Sequence, residues 1–176
     1  MNDRFDPRRT SPNPPSNQRV PMTAGVMTLG WRERVGLPQL GIERLRAKLD
    51  TGARSSALHV DSLETFMRDG SVWLRFDVSQ GRHAQYGVTC EAPALGRRVV
   101  TNSSGHRAER WFIRSQILLA GHCFDAEISL TDRRGMRFPL LLGRTALNER
   151  FRVDPALSYV AATLAHAAVA GLSSHA

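Results

Sequence analysis

Short stretches in which apolar and polar residues alternate, with turn signals between them, restrict this chain to a β-rich fold. The alternation is clearest at residues 43–49 and 72–78, and it continues in residues 111–119 and 123–130 around a turn at Gly121. Successive side chains of a strand point to opposite faces, so this period of two predicts half-buried strands. Many short strands and little helical periodicity predict an all-β fold, a closed barrel.

Local composition predicts the remaining elements. Turn residues are placed by their backbone preferences, and an apolar run bounded by glycine is typical of a buried strand. The expected elements are a strand at residues 32–37, a hairpin turn at 68–70, loops at 79–85 and 102–107, a buried strand within 138–143, one or two helical turns at 144–150 and an extended segment at 151–154.

Three regions are expected along the chain. Residues 1–25 are rich in proline, asparagine, arginine and serine, and they cannot bury enough apolar surface to offset the entropy of ordering, which predicts disorder. Residues 26–160 form the barrel domain, and residues 161–176 form an alanine-rich tail, a frayed helix. The first residues lack the apolar core of a signal peptide, and no apolar stretch approaches the ~20 residues of a membrane span. The predicted location is the cytoplasm, away from the membrane.

The net charge of +8, from 24 basic and 16 acidic residues, favours acidic partners. It is spread along the chain, so solvated strand faces explain it first, an acidic substrate second and nucleic acid third. An RNA-binding barrel driven by arginine stays an alternative, but few aromatic residues for base stacking lie between the basic ones, and no nucleic-acid partner is predicted. The two cysteines, Cys90 and Cys123, are expected to be reduced thiols.

The segment Asp50–Thr51–Gly52 has two interpretations. It ends the alternating strand at residues 43–49, where aspartate and glycine commonly form a turn. Alternatively, Asp50 is a catalytic carboxylate, because the Thr51 hydroxyl can bond to a neighbouring backbone and Gly52 lets a second backbone approach closely. Local sequence leaves both interpretations open.

Two motifs together resemble the retropepsin-like aspartic peptidases. Leu49–Ala53 matches their first motif, a hydrophobic residue followed by Asp-Thr-Gly-Ala, and Leu141–Gly143 matches the second, which precedes a helix. The wider pattern is similar to a bacterial family long labelled ATP-dependent zinc proteases and now grouped with the retropepsins. It covers about residues 27–160 and rests on residues 30–33, 47–54, 56–59 and 141–147. The resemblance implies a retropepsin-like closed barrel with one short helix after the second motif.

The resemblance also implies an aspartic endopeptidase. Hydrolysis of this type needs two carboxylates that share a proton and hold a water, and one chain supplies only one Asp-Thr-Gly. The second Asp50 would come from a two-fold partner, so a homodimer is expected. The implied catalytic residues are Asp50, Thr51 and Gly52, with Thr51 bonding across the dimer and Gly52 contacting substrate.

Four further residues are candidates for binding substrate. Ala53 and Arg54 complete the first motif, while His106 and Arg107 either bind an anionic substrate or lie in a solvated loop. Retroviral enzymes carry an acidic residue at the position of Arg54, and it pairs with the arginine after the second motif, so that pairing is not expected for Arg144. The flap that covers substrate in such enzymes is expected in a loop within residues 79–107.

Substrate and partners follow from the same resemblance. Some relatives are tied to ATP-grasp ligases that add glutamate, which implies an acidic or glutamate-tagged peptide or protein substrate and a functional link to such a ligase. No cofactor and no metal site are predicted, because the chain has neither a phosphate-binding Gly-x-x-x-x-Gly-Lys loop nor His-Glu-x-x-His. Two alternatives remain, a barrel that binds peptide without cutting it and a zinc protease using His59.

Overall fold

The computed structural model describes residues 26–79, 87–101, 105–132 and 137–161. The predicted disordered segment at residues 1–25 lies outside these ranges, as does the alanine-rich tail beyond Ala161. The same is true of most of the loop predicted at residues 79–85 and of residues 102–104. The predictions for these segments therefore stay predictions.

Twelve strands and one short α-helix are defined within these ranges, along with a 3-10 turn at Pro38–Leu40. The elements are β1 (Met27–Gly30), β2 (Arg32–Leu37), β3 (Ile42–Leu49), β4 (Ser56–His59), β5 (Ser62–Arg68), β6 (Ser71–Ser79), β7 (Gly87–Pro93), β8 (Gly96–Thr101), β9 (Arg107–Leu119), β10 (His122–Thr131), β11 (Leu140–Leu142), α1 (Arg144–Leu147) and β12 (Phe151–Asp154).

Six of the strands form a closed ring. Their order is β10-β4-β11-β3-β2-β9, and β9 returns to β10 in an antiparallel hairpin. Strand β2 meets β9 at the pair Gly36 and Leu118, and β8 extends the sheet beyond β9. A second sheet, β5-β6-β7, and the parallel pair β1-β12 complete the described fold. The predicted all-β, retropepsin-like barrel with a short helix after the second motif is confirmed.

The alternation in the sequence corresponds to burial in the structure. Leu45 and Ala47 on β3, and Leu74, Phe76 and Val78 on β6, are all fully buried. The turn between β5 and β6 has positive φ at Asp69 (50°) and Gly70 (74°), the conformation that suits a two-residue hairpin, which confirms the predicted turn.

One boundary was predicted wrongly. Residues 102–107 were expected to be a loop, but Arg107 is the first residue of β9 and pairs with Thr101 at the end of β8. Polar composition suggested a loop, whereas the cross-strand ladder of the hairpin extends the strand through exposed residues.

The position of β11 determines where the candidate site forms. This fully buried strand runs parallel to β3, with Leu142 opposite Leu49, and antiparallel to β4, with Leu140 opposite Leu58. Strands β3 and β4 flank residues 50–55, which we call the Asp50 loop. The second motif therefore lies between the two strands that carry this loop, although it is about ninety residues away in sequence.

A buried carboxylate holds the end of the described chain against the barrel. Glu33 on β2 is 0% exposed and accepts backbone N–H groups from Gly30 (2.9 Å), Val160 (3.1 Å) and Ala161 (3.1 Å). Charge-assisted bonds of this kind are stronger than neutral ones, and each buried donor left without a partner is costly. Glu33 therefore links β2 to the segment that follows β12.

Glu33→Ala is expected to lower the free energy of unfolding by about 2–4 kcal/mol, because three backbone donors lose their acceptor. Urea denaturation monitored by circular dichroism would measure the loss. Glu33→Gln retains one carbonyl oxygen and should lose less. The control is Glu43→Ala, at an exposed position on β3, where we expect a change within about 0.5 kcal/mol. Equal losses at the two positions would contradict this role of Glu33.

Candidate active site at the Asp50 loop

Asp50 is held by one side chain and two backbone groups. Its Oδ2 lies 2.9 Å from Nζ of Lys48, and its Oδ1 accepts N–H bonds from Gly52 (3.0 Å) and Ala53 (3.3 Å). Lys48 and Asp50 are two residues apart at the end of β3, so the pleat places them on the same side. The carboxylate is thereby fixed in one orientation at the start of its loop.

The surroundings of Asp50 favour its ionised form. Partial burial would raise the pKa of this carboxyl group, but the hydrogen bond and charge of Lys48, with the N–H groups of Gly52 and Ala53, outweigh that effect. The pKa of Asp50 is therefore lowered from its ordinary value of 3.8. In the single chain, Asp50 is a charged base at neutral pH.

The second motif, Leu141–Gly143, and the residue after it hold the Asp50 loop through backbone hydrogen bonds. The N–H of Asp50 donates to the carbonyl of Leu142 (2.8 Å), and the N–H of Arg144 donates to the carbonyl of Ala53 (2.9 Å). Gly143 lies between Leu142 and Arg144 in the chain, and a Cβ on this residue would lie 2.6 Å from the carbonyl oxygen of Ser55. A larger residue cannot occupy this place without moving the backbone of the loop.

Arg144 also contacts the loop through its side chain. Nη1 of its guanidinium donates to the carbonyls of Thr51 and Gly52, both at 2.9 Å. The sequence predicted that Arg144 could not pair with an acidic residue at position 54, where this chain has Arg54. Two backbone carbonyls provide the acceptors, so the arginine after the second motif restrains the loop without an acidic partner.

Asp50 opens onto a cleft of about 1520 Å³. Its walls are formed by the Asp50 loop, by the start of α1 and by residues of β8, β9 and β10. Part of the predicted flap region, residues 98–101 of β8, lines this cleft, while residues 102–104 lie outside the described ranges. Six basic and four acidic side chains face the cleft: Lys48, Arg54, Arg98, Arg110, Arg114, Arg144, Asp50, Asp125, Glu127 and Asp132.

The structure brings together most of the predicted site residues. Asp50, Gly52, Ala53 and Arg54 line the cleft, and Thr51 is exposed in the same loop. His106 and Arg107 are also exposed, but they are not among the described residues that line the cleft. Their role in substrate binding stays a prediction.

The sequence analysis missed several cleft residues, among them Lys48, Arg110 and Arg114. Lys48 could have been found, because a period of two places it beside Asp50. Arg110 and Arg114 could have been grouped on one face of β9 by the same rule, together with Phe112. The sequence carried no signal for which face of β9 meets the cleft, since that depends on the closure of the barrel.

The histidine and cysteine side chains of the described residues do not form a metal site. Within the described ranges, no group of three or more histidine, cysteine, aspartate or glutamate side chains is arranged to hold a metal ion. Nε2 of His59 lies 3.3 Å from Asp61, and its Nδ1 lies 3.9 Å from Asp132. Burial, with a smaller effect of the Asp77 charge, raises the pKa of the Cys90 thiol to about 11, so this thiol stays protonated at neutral pH.

Among the helices in the described part of the chain, none has the length and apolar character needed to cross a bilayer.

Comparison with known proteins identifies a family. The profile described as "RimB-like: Retropepsin-like aspartic endopeptidase RimB" matches residues 28–163. A crystal structure of a Legionella pneumophila protein of unknown function superposes with a TM-score of 0.64 at 29% identity, covering 77% of this chain and 98% of that protein.

Curated relatives share part of their length with this chain. A protein named probable alpha-L-glutamate ligase from Desulfotalea psychrophila is 38% identical over 130 residues, which are 73% of this chain and 28% of the relative. A protein of the same name from Shewanella halifaxensis is 32% identical over 139 residues, which are 78% of this chain and 30% of the relative. The chain thus spans less than a third of the length of either ligase.

Proposed function

We propose, from the premise that this chain belongs to the RimB-like family of retropepsin-like aspartic endopeptidases, that it hydrolyses peptide bonds with two Asp50 carboxylates, one from each of two identical chains. The observation that carries this proposal is the placement of Asp50. Its carboxylate is oriented by backbone N–H groups on a loop that the second motif supports, and it faces a large cleft.

The chemistry requires a second carboxylate close to the first. When two like charges approach, one group retains a proton, so that the ionised Asp50 takes a proton from water and the protonated one donates to the carbonyl oxygen. Thr51 and Gly52 are exposed beside Asp50 in the single chain, so this end of the cleft is accessible to a two-fold partner. The pair would titrate as a unit.

Lys48 supports the role of Asp50 as the base. Its ammonium group holds the carboxylate in the ionised form, and its side chain is 43% exposed. A second Asp50 would bring a like charge that raises the pKa of one member of the pair. Lys48 and the partner carboxylate therefore act in opposite directions on the protonation of the pair.

The charge of the cleft favours an acidic substrate. Six basic and four acidic side chains line it, and two relatives are named probable alpha-L-glutamate ligase. We propose a peptide or protein substrate with glutamate or aspartate near the scissile bond, and a functional link to a glutamate ligase of the ATP-grasp type. Such a ligase would supply the acidic tail that this protein cuts.

Activity is expected to depend on the concentration of the chain. Because each chain supplies one Asp50, specific activity should fall on dilution below the dimer dissociation constant and approach zero for the monomer. Turnover of a fluorogenic glutamate-containing peptide, measured alongside analytical ultracentrifugation over the same concentrations, would test this.

Two outcomes would count against the dimeric mechanism. Constant specific activity across the monomer–dimer transition would show that one chain is sufficient, with a second carboxylate such as Asp154 completing the pair. Peptide binding without turnover at any concentration would instead support a barrel that holds peptides without cutting them.

A further inference from the structure

The wall of the cleft that β8, β9 and β10 form carries an unusual arrangement of arginines. In the antiparallel ladder of β8 and β9, Arg98 lies directly opposite Arg110, and in that of β9 and β10, Arg114 lies directly opposite Glu127. All four side chains line the cleft. Like charges directly across a ladder are destabilising, so the pair of arginines needs an explanation.

The nearby carboxylate is already occupied by the other two arginines. Nη1 of Arg98 lies 2.6 Å from Oε2 of Glu127, and Nη2 of Arg114 lies 3.5 Å from Oε1. Arg98 is also stacked over the ring of Phe112 at 4.7 Å. Glu127 therefore compensates Arg98 and Arg114 and leaves Arg110 without a carboxylate.

Arg110 is the unmatched member of this wall. Among the described residues, its guanidinium has no hydrogen bond, ion pair or aromatic contact, and its Nε is buried without a partner. Partial burial of the guanidinium lowers the pKa of Arg110.

Arg32 offers a useful comparison, because its Nε is buried without a hydrogen bond as well. Its guanidinium, however, lies 4.8 Å from the ring centre of Trp31 and 5.1 Å from that of Tyr159, and aromatic faces stabilise a cation. Arg110 lacks such a contact within the described part of the chain, although it borders a cleft large enough for a peptide.

We infer that Arg110 is a carboxylate-binding residue of the cleft and selects substrates by holding an acidic group of the bound peptide. A planar guanidinium binds a carboxylate through two parallel hydrogen bonds, and such a bond is strongest where water is excluded. The carboxylate belongs either to a glutamate or aspartate side chain or to a peptide C-terminus. This inference rests on the proposed function, in which the cleft holds an acidic peptide, but binding can be tested without cleavage.

The test uses the full chain with Asp50→Asn, so that the peptide is not cut. Binding of a six-residue glutamate peptide by calorimetry should weaken by about 10- to 100-fold when Arg110→Met is added. The matched control is Arg97→Met, on the opposite face of the same hairpin, where Arg97 pairs with Glu109 at 3.1 Å. That variant should bind within about twofold of the parent, as expected for an exposed ion pair.

Peptide chemistry separates the two sources of the carboxylate. If side-chain carboxylates are recognised, the parent protein should bind a glutamine peptide of the same length as weakly as the Arg110→Met variant binds the glutamate peptide. If the terminal carboxylate is recognised instead, a C-terminal amide on the glutamate peptide should weaken binding to the parent protein by the same factor. An Arg110→Met protein that binds the glutamate peptide as tightly as the parent would overturn the inference, and so would the absence of binding by the parent.

Thermal unfolding distinguishes a binding role from a structural one. Removal of a desolvated and uncompensated cation should leave the melting temperature of the ligand-free protein unchanged or raise it. A fall in melting temperature would assign Arg110 to the fold and overturn the inference. Binding that depends on Arg110, together with no hydrolysis by the native chain, would support the inference and reject the peptidase.

Discussion

Asp50→Asn is expected to reduce peptide hydrolysis by roughly 10⁴-fold, the upper range for general acid–base catalysis. The substitution removes the base on one chain and the proton donor on the other, since the two-fold symmetry changes both members of the pair. Turnover of an acidic peptide by native and variant proteins at equal concentrations of dimer is the measurement.

The fold of the asparagine variant should survive. Asparagine has nearly the same size, and its Oδ1 can still accept the N–H groups of Gly52 and Ala53 that Asp50 accepts. The pKa of Asp50 is depressed by folding, so its ionised form stabilises the folded chain above the unfolded pKa, near 3.8, and this contribution is lost as the pH falls through the folded value. The stability difference between native and variant chains should therefore be present at pH 7 and vanish in acid. In the dimer, relief of like-charge repulsion would act in the opposite direction.

A chelator extends the same experiment to the competing mechanisms. The aspartic mechanism predicts native turnover that a strong chelator does not change. A zinc enzyme using His59 would lose activity with chelator and recover it with added zinc. Chelator-sensitive turnover that persists in Asp50→Asn would falsify the aspartic mechanism, and binding without turnover in both proteins would support the non-catalytic barrel.

Gly143→Ala is expected to impair both stability and activity. Its Cβ would lie 2.6 Å from the carbonyl oxygen of Ser55 and 2.8 Å from that of Arg54, and both atoms belong to the backbone of the Asp50 loop. Overpacking of this kind costs about 1–3 kcal/mol. The displaced loop also loses its register with the Arg144 side chain, and a shift of about 1 Å in a catalytic group can reduce the rate by about 10²-fold. Urea denaturation and peptide turnover measure the two effects.

Gly41→Ala provides the control for Gly143. Gly41 has a φ of 67° and open space around its Cα, so alanine there costs about 1–2 kcal/mol through backbone strain alone. It follows the 3-10 turn after β2, outside the cleft-lining set. Similar stability losses with reduced turnover only in Gly143→Ala would place Gly143 in the support of the site. Equal turnover in both variants would show that the loop tolerates the shift.

Much of the local structure could be predicted from the sequence, because the strand pattern depends on residues that are close together in the chain. The alternation at residues 43–49 predicted β3, Asp69 and Gly70 predicted a hairpin turn, and the resemblance of Leu141–Gly143 to a known motif predicted the short helix that follows. Side chains two residues apart share a face regardless of the rest of the chain. Asp50 was noted as the acidic residue that ends a strand, and the resemblance to the retropepsin-like motif made it the catalytic candidate.

The contacts around the site were decided by tertiary structure. Insertion of β11 between β3 and β4 brings Arg144 to the carbonyls of Thr51 and Gly52, and no local pattern predicts that strand order. Pairing of β8 with β9 places Arg110 opposite Arg98, and pairing of β9 with β10 brings in Glu127, which contacts Arg98 and Arg114.

The composition of the chain determined that it carries excess positive charge, but not where an unpaired cation would lie. Ion pairing depends on distances of a few ångströms between side chains from separate strands, and strand register fixes those distances. The sequence therefore determined the strands and the position of Asp50 at the end of one of them. Only the assembled barrel decided which arginines on β8 and β9 are compensated by Glu127 and that Arg110 is not.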